Sequence, residues 1–171
     1  LLNSSEKHTE KGLIDPSGIL GTNLMDHIST CRFFALPSID SHDDQNNEVD
    51  NSLSGAGSFL IPCGDQITKD KSKRFIRNYG IWGAIDRFNL PNLLKRNPNS
   101  SVGFLIGHGE VLPEKRNKVT LSSNSDKWGT PIPCIDCCWG ENELSMAEHI
   151  QLTIEKIIRS AGGEIIPLPE L

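Results

Sequence analysis

The feature that most constrains the fold lies near the C-terminal end, where residues 142–161 carry apolar side chains at Leu144, Ala147, Ile150, Ile154, Ile157, Ile158 and Ala161. That spacing puts them on one face of an α-helix. Asn142 stands at the N-cap position, Glu143 suits the positive end of the helix dipole, and Gly162-Gly163 supplies the stop. Such a helix needs an apolar surface to lie on, so the remainder of the chain must provide one.

The rest reads as short strands. Candidates are 58–63, 102–106 with a continuation at 110–112, 119–121 and 132–139, together with the run 75–85 (FIRNYGIWGAI) within 75–88. Gly80 and Gly83 inside that run suggest a bulge or a backbone that something approaches closely. Residues 1–30 are polar and punctuated by glycine, with a helical or extended stretch at 19–28. Residues 38–57 have almost no apolar periodicity and many turn formers, and a stretch of that length is a surface excursion or a lid. Residues 69–74 are a charged turn, 90–99 a connection rich in Pro and Asn, and 165–167 an extended tail. No strand–helix–strand rhythm is present. The expected fold class is α+β, an antiparallel sheet backed by helices.

A chain of 171 residues suffices for one domain with a real core. Moderate apolar content and ordinary charge mark it as globular and soluble. A net charge of −5, with no basic stripe, argues against nucleic acid as a partner. No apolar run approaches the roughly 20 residues of a membrane span. The five cysteines are odd in number and three are crowded at Cys134, Cys137 and Cys138. This is unlike a secreted disulfide scaffold and favours a reducing compartment such as the cytoplasm.

Chemistry-bearing motifs are sparse. Cys134-x-x-Cys137-Cys138 offers one ligand pair where zinc takes about four ligands. On a strand, Cys134 and Cys138 would face one way and Cys137 the other, so buried free thiols are the expectation. His149 falls on the polar side of the terminal helix, and His8 and His42 lie in polar segments. His108 sits between Gly107 and Gly109, where a close backbone approach is feasible. The glycine pairs 55/57 and 107/109 lack the third glycine of a dinucleotide fingerprint, since Leu60 and Leu112 stand there. There is no phosphate-binding loop and no nucleophile elbow.

The order of several segments resembles the glucose–methanol–choline (GMC) family of flavin-dependent alcohol oxidoreductases. Gly21, Asn23, Leu24, Asp26 and His27 match the family's G-x-x-G-x-N-L-x-D-H segment. Arg77-Asn78-Tyr79-Gly80 through Gly83 resembles a family sheet strand. Glu110, Pro113, Asn117, Val119 and Leu121 resemble its E-x-x-P…N-x-V-x-L strand pair. Trp128-Gly129-x-Pro131 and the run into Glu141-Asn142-Glu143 resemble the return strand and following helix. The likeness spans nearly the whole chain except 38–57. It is nearer to bacterial choline-dehydrogenase-like flavoproteins than to sugar 2-oxidases. Two family features are missing: the N-terminal G-x-G-x-x-G, and the His-x-x-Gly context of the catalytic histidine, which none of the five histidines has.

What the resemblance implies is a central substrate-domain portion of a longer enzyme that binds FAD and oxidises CH–OH groups. In that family a histidine takes the hydroxyl proton and a hydride passes to flavin N5. Residues 1–30 would form the edge of the FAD-binding domain and 31–171 an incomplete substrate-binding domain. Tyr79, Trp82, Ile132 and Cys134 would face the substrate, and Asn23, Asp26 and His27 would lie near the cofactor boundary. No residue here is assigned to catalysis or to a metal. The partners implied are the FAD-binding domain of the same polypeptide and a small alcohol or sugar. The chain alone is expected neither to hold FAD nor to turn over alcohols. Which strand face would look at the flavin is open at this point, because a one-residue slip reverses it. Two rivals stand beside this reading: a free-standing binding or interaction domain without catalysis, and a thiol-based redox or metal protein centred on Cys134–Cys138.

Overall fold

The computed structural model describes residues 1–4, 14–37, 57–63, 74–85 and 101–167. The expected lid at 38–57 (save Gly57), the turn at 69–74 (save Arg74), the connection at 90–99, and His8 and His42 lie outside the described residues. In chain order the elements are β1 (His27–Leu36), β2 (Gly57–Cys63), β3 (Tyr79–Ile85), β4 (Ser101–Glu110), β5 (Lys118–Ser125), β6 (Pro131–Asp136), α1 (Glu141–Ser160) and β7 (Glu164–Ile166). A 3-10 turn at Leu2–Ser4 precedes them.

Five strands form one sheet in the order β2-β3-β4-β1-β7, and every neighbouring pair is antiparallel. β5 and β6 form a separate hairpin with an irregularity between Leu121 and Ser125. The molecule is thus an antiparallel sheet with one helix among the described residues, an α+β arrangement. The plural helices expected from the sequence reduce to α1 within this part of the chain. No helix among the described residues is long and apolar enough to cross a membrane.

β1 sits near the middle of the sheet and pairs with β4 along its whole length, from His27↔Glu110 to Leu36↔Ser101. Its sequence (HISTCRFFAL) gave no strand expectation beyond residue 28, because apolar residues occur on both of its sides. A strand flanked by neighbours and apolar on both faces loses the clean alternation that advertises an edge strand. β1 also runs across residue 30, where the domain edge was drawn. β7, expected as a free tail, pairs with β1 through Phe33↔Ile166 and Ala35↔Glu164.

α1 crosses one face of the sheet, over β1 and β4. The core between them consists of Ile28, Phe34, Ile81, Leu105, Met146, Ile150, Ile154 and Ile158. Close approach is possible because β4 presents Gly103, Leu105, Gly107 and Gly109 to this side. A Cβ on Gly107 would overlap Ile150 Cγ2, and one on Gly109 would overlap Met146 Sδ. The glycines around His108 therefore serve helix packing. Gly83 is likewise pressed, by the Phe104 carbonyl and Leu105, whereas Gly80 has room. The β3–β4 ladder through both is regular, without a bulge.

The helix differs from expectation at its start. Gly140 is the N-cap, and Asn142 instead accepts the Ile76 N–H on its Oδ1 at 2.8 Å. Glu143 is buried and accepts the N–H groups of Leu112 (3.1 Å) and Gly140 (2.8 Å) and the Asn142 side-chain amide (3.1 Å). The buried stripe is Met146, Ala147, Ile150, Ile154 and Ile158, while Leu144 points to solvent. The end is as expected, with Gly162 at φ +72° after the Ala161 cap.

Candidate functional site

Strand alternation splits the large sheet into two unlike faces. One face is covered by α1 over β1 and β4. The opposite face carries no helix among the described residues, and its register aligns cross-strand rows. His27 lies opposite Glu110, and Ser29 opposite His108, which is opposite Gly80. Cys31, Ile106, Trp82 and Leu60 make the next row, then Phe33, Phe104, Ala84 and Ser58, then Ala35 and Val102.

The rings on this open face touch one another. The Trp82 indole and His108 imidazole are nearly parallel, with centroids 6.2 Å apart. Phe104 meets Trp82 edge-on at 5.1 Å and lies 6.3 Å from Phe33. His27 meets His108 edge-on at 6.3 Å. Beside the histidines is a depression of about 310 Å³ lined by His27, Asn78, Tyr79, Gly80, His108, Gly109 and Glu110. Gly80 has no side chain to fill it. Glu110 also pairs with Arg77 at 3.8 Å, an exposed ion pair of small energetic value. Burial pushes the Cys31 thiol up in pKa, with the Arg32 charge opposing, so this thiol is a neutral wall group at neutral pH.

Of the residues expected to face substrate, only Trp82 lies on this face. Tyr79 is three positions away on the same strand, so it points to the helix. It is buried there, with its hydroxyl 2.8 Å from His149 Nδ1 and 3.0 Å from Thr153 Oγ1. His149, expected on a solvated side, instead packs against Phe75 and Tyr79. Tyr79→Phe keeps the ring and loses the hydroxyl bonds. It should lower stability by about 1–2 kcal/mol in a urea titration.

Ile132 and Cys134 belong to the β5–β6 hairpin rather than to the main sheet, and both are exposed. β6 ends at Asp136, so strand alternation does not extend to Cys137 and Cys138. All three clustered thiols are exposed, contrary to the expected burial, and Cys138 Sγ lies 3.7 Å from Asn117 Oδ1. Among the described residues no three Cys, His, Asp or Glu side chains converge on a point where a metal would sit.

Near the expected cofactor boundary, Asn23 and Asp26 make local bonds: Asn23 Nδ2 donates to Thr22 Oγ1 at 3.0 Å and Asp26 accepts the His27 N–H at 2.7 Å. The segment is shaped by backbone. Gly21 has φ +83°, and a Cβ there would collide with the Val119 carbonyl; Asn23 has φ +58°, which asparagine tolerates better than most residues. The Gly21 carbonyl accepts the Val119 N–H at 2.7 Å and the Leu24 N–H donates to the Asn117 carbonyl at 2.9 Å. The turn thus anchors the hairpin and launches β1, which delivers His27 to the open face.

His108, Phe104, Phe33 and Glu110 had not been assigned to a site. For the β4 residues the signal is the alternation of Val102, Phe104, Ile106 and His108 against Gly103, Leu105, Gly107 and Gly109, whereas Phe33 in β1 has none.

One helix N-terminus, that of α1, lies among the described residues. There the Glu143 carboxylate already takes the Gly140 N–H, and a second negative charge would be repelled. This helix end therefore does not fit the pyrophosphate of a dinucleotide. What the described residues do form is a walled, partly aromatic surface with hydrogen-bonding groups at one end. The chain was compared with protein-family models and with curated proteins, and neither comparison finds a match.

Proposed function

We propose that this chain is the substrate-pocket portion of an FAD-dependent oxidoreductase acting on CH–OH groups of an alcohol or sugar, of the GMC type. The observation that carries the reading is the two-faced sheet. One side is covered by α1 over β1 and β4, and the other offers Trp82 and Phe104 beside an open depression that His27 and His108 line. That is the form required of a wall that covers a substrate lying on a cofactor held elsewhere in the same polypeptide. Support also comes from the family-like segments. Gly21 and Asn23 hold the backbone conformations that their positions require, and Glu143 closes the junction between β4 and the helix.

In this reading the chain binds and orients the alcohol and excludes water. FAD and the base that takes the hydroxyl proton belong to other parts of the polypeptide. The test is the intact mass and flavin content of the natural polypeptide purified from its source cell. A mass well above 18.9 kDa with one FAD per chain is the expected result. A flavin-free polypeptide of 18.9 kDa would overturn the proposal and leave a free-standing binding domain.

A further inference from the structure

The open face is graded along the strands. Its polar groups gather at one end: His27 and Glu110 opposite each other, Asn78 beside them, and His108 in the next row. Beyond Trp82 the rows turn mostly apolar, with Cys31, Ile106 and Leu60, then Phe33, Phe104 and Ala84 with Ser58 at the outer strand, then Ala35 and Val102. Leu60 is 69% exposed and Trp82 38%, so this surface is not filled by its own side chains. From residue 106 to residue 102 of β4 the apolar stretch runs about 14 Å.

A sugar would need hydrogen-bonding groups around its whole rim, and the described rows beyond Trp82 supply almost none. Leaving a ligand hydroxyl against Phe33 or Phe104 would cost about 1–3 kcal/mol for each unpaired group. A small quaternary ammonium could lie against the Trp82 and Phe104 rings, but it is too short to cover the rows that reach Ala35 and Val102. An apolar body along the aromatic rows gains from burial, and a single hydroxyl at the histidine end finds donors and acceptors.

We propose that the ligand of this face is an amphipathic alcohol. Its hydroxyl lies in the His27–His108–Glu110 depression, and its apolar chain or ring lies along Trp82, Ile106, Phe104 and Phe33. This assignment rests on the pocket reading above and narrows its substrate class. Trp82 is the specificity-determining residue, since it stands where the polar end meets the apolar rows.

The test is an amide and indole NMR titration of the 171-residue chain with 1-octanol, glucose and choline in turn. Trp128 and Trp139 serve as internal controls, and Trp82→Phe assigns the Trp82 indole N–H. The expected result is saturable shifts at Trp82 and His108 with 1-octanol alone. The apparent Kd should rise at least tenfold in Phe104→Ser, a variant whose amide spectrum first shows that it is folded. Saturable shifts with glucose or choline and none with 1-octanol would overturn the amphipathic class while leaving the pocket reading intact. Equal 1-octanol shifts at all three indoles, or no shift with any ligand, would also overturn it. Neither outcome bears on flavin content, which tests the pocket reading separately.

Discussion

Gly107→Val is expected to lower the stability of the chain by about 3 kcal/mol, the upper end of the usual cost of overpacking a core. The added side chain would occupy the place of Ile150 Cγ2, a methyl group fully buried between helix and sheet. Ile150 cannot swing aside, because β-branched residues in helices hold essentially one rotamer. The helix would have to lift from β4, opening the packing at Met146 and Ile154 as well. Gly80→Ala is the matched control: its Cβ enters the open face and meets only Leu60 Cδ1 at 3.6 Å. That variant should stay within about 0.5 kcal/mol of the parent chain. Urea denaturation midpoints measure both. Combining Gly107→Val with Ile150→Ala should cost less than the sum of the two, since the cavity left by one receives the side chain of the other. A Gly107→Val chain as stable as the parent would mean that α1 does not lie where described.

Glu143→Ala is expected to cost about 3 kcal/mol, because it leaves two backbone donors and one amide without their charged acceptor in a buried position. The carboxylate ties the exit of β4, through the Leu112 N–H, to the first turn of α1, through the Gly140 N–H. Glu143→Gln retains one acceptor oxygen and should cost less. The same contacts set the response to acid. Burial pushes the Glu143 carboxyl up, but the N–H groups of Leu112 and Gly140 and the Asn142 amide outweigh it, and its pKa sits below the ordinary carboxylate range. With the folded pKa below the unfolded value of about 4.3, the stabilisation is complete above that value. It is lost as pH falls through the folded pKa. Parent and Glu143→Gln chains should therefore differ in stability at neutral pH and converge in acid. A constant difference across the acid range would rule this account out.

Local patterns made the terminal helix legible, since the Ile150, Ile154 and Ile158 spacing survives intact under the sheet. They missed its cap because Asn142 is engaged by Ile76, a residue 66 positions away that no local pattern reveals. β4 was legible only in part. Its glycines looked like breaks, yet they are the floor on which Met146 and Ile150 rest. β1 was hidden because its residues are apolar on both sides. That is the character that places it centrally and lets Phe33 and Cys31 look one way while Ile28 and Phe34 look the other.

The candidate site followed the same logic. Trp82 stands on the open face and the Tyr79 ring on the helix side, a division set by strand parity. His27 was named as a boundary residue, and β1–β4 register carries it beside His108 instead. A site assembled from three strands depends on register, and register is written in long-range pairing rather than in any one segment.

The most direct test of the central claim is anaerobic mixing of the natural full-length polypeptide with an alcohol while its absorption spectrum is followed. Bleaching of an oxidised flavin band by the alcohol, slowed by Trp82→Ala and unaffected by Trp128→Phe, is the predicted result. A polypeptide with no flavin band, or with a band that no alcohol bleaches, would contradict the claim.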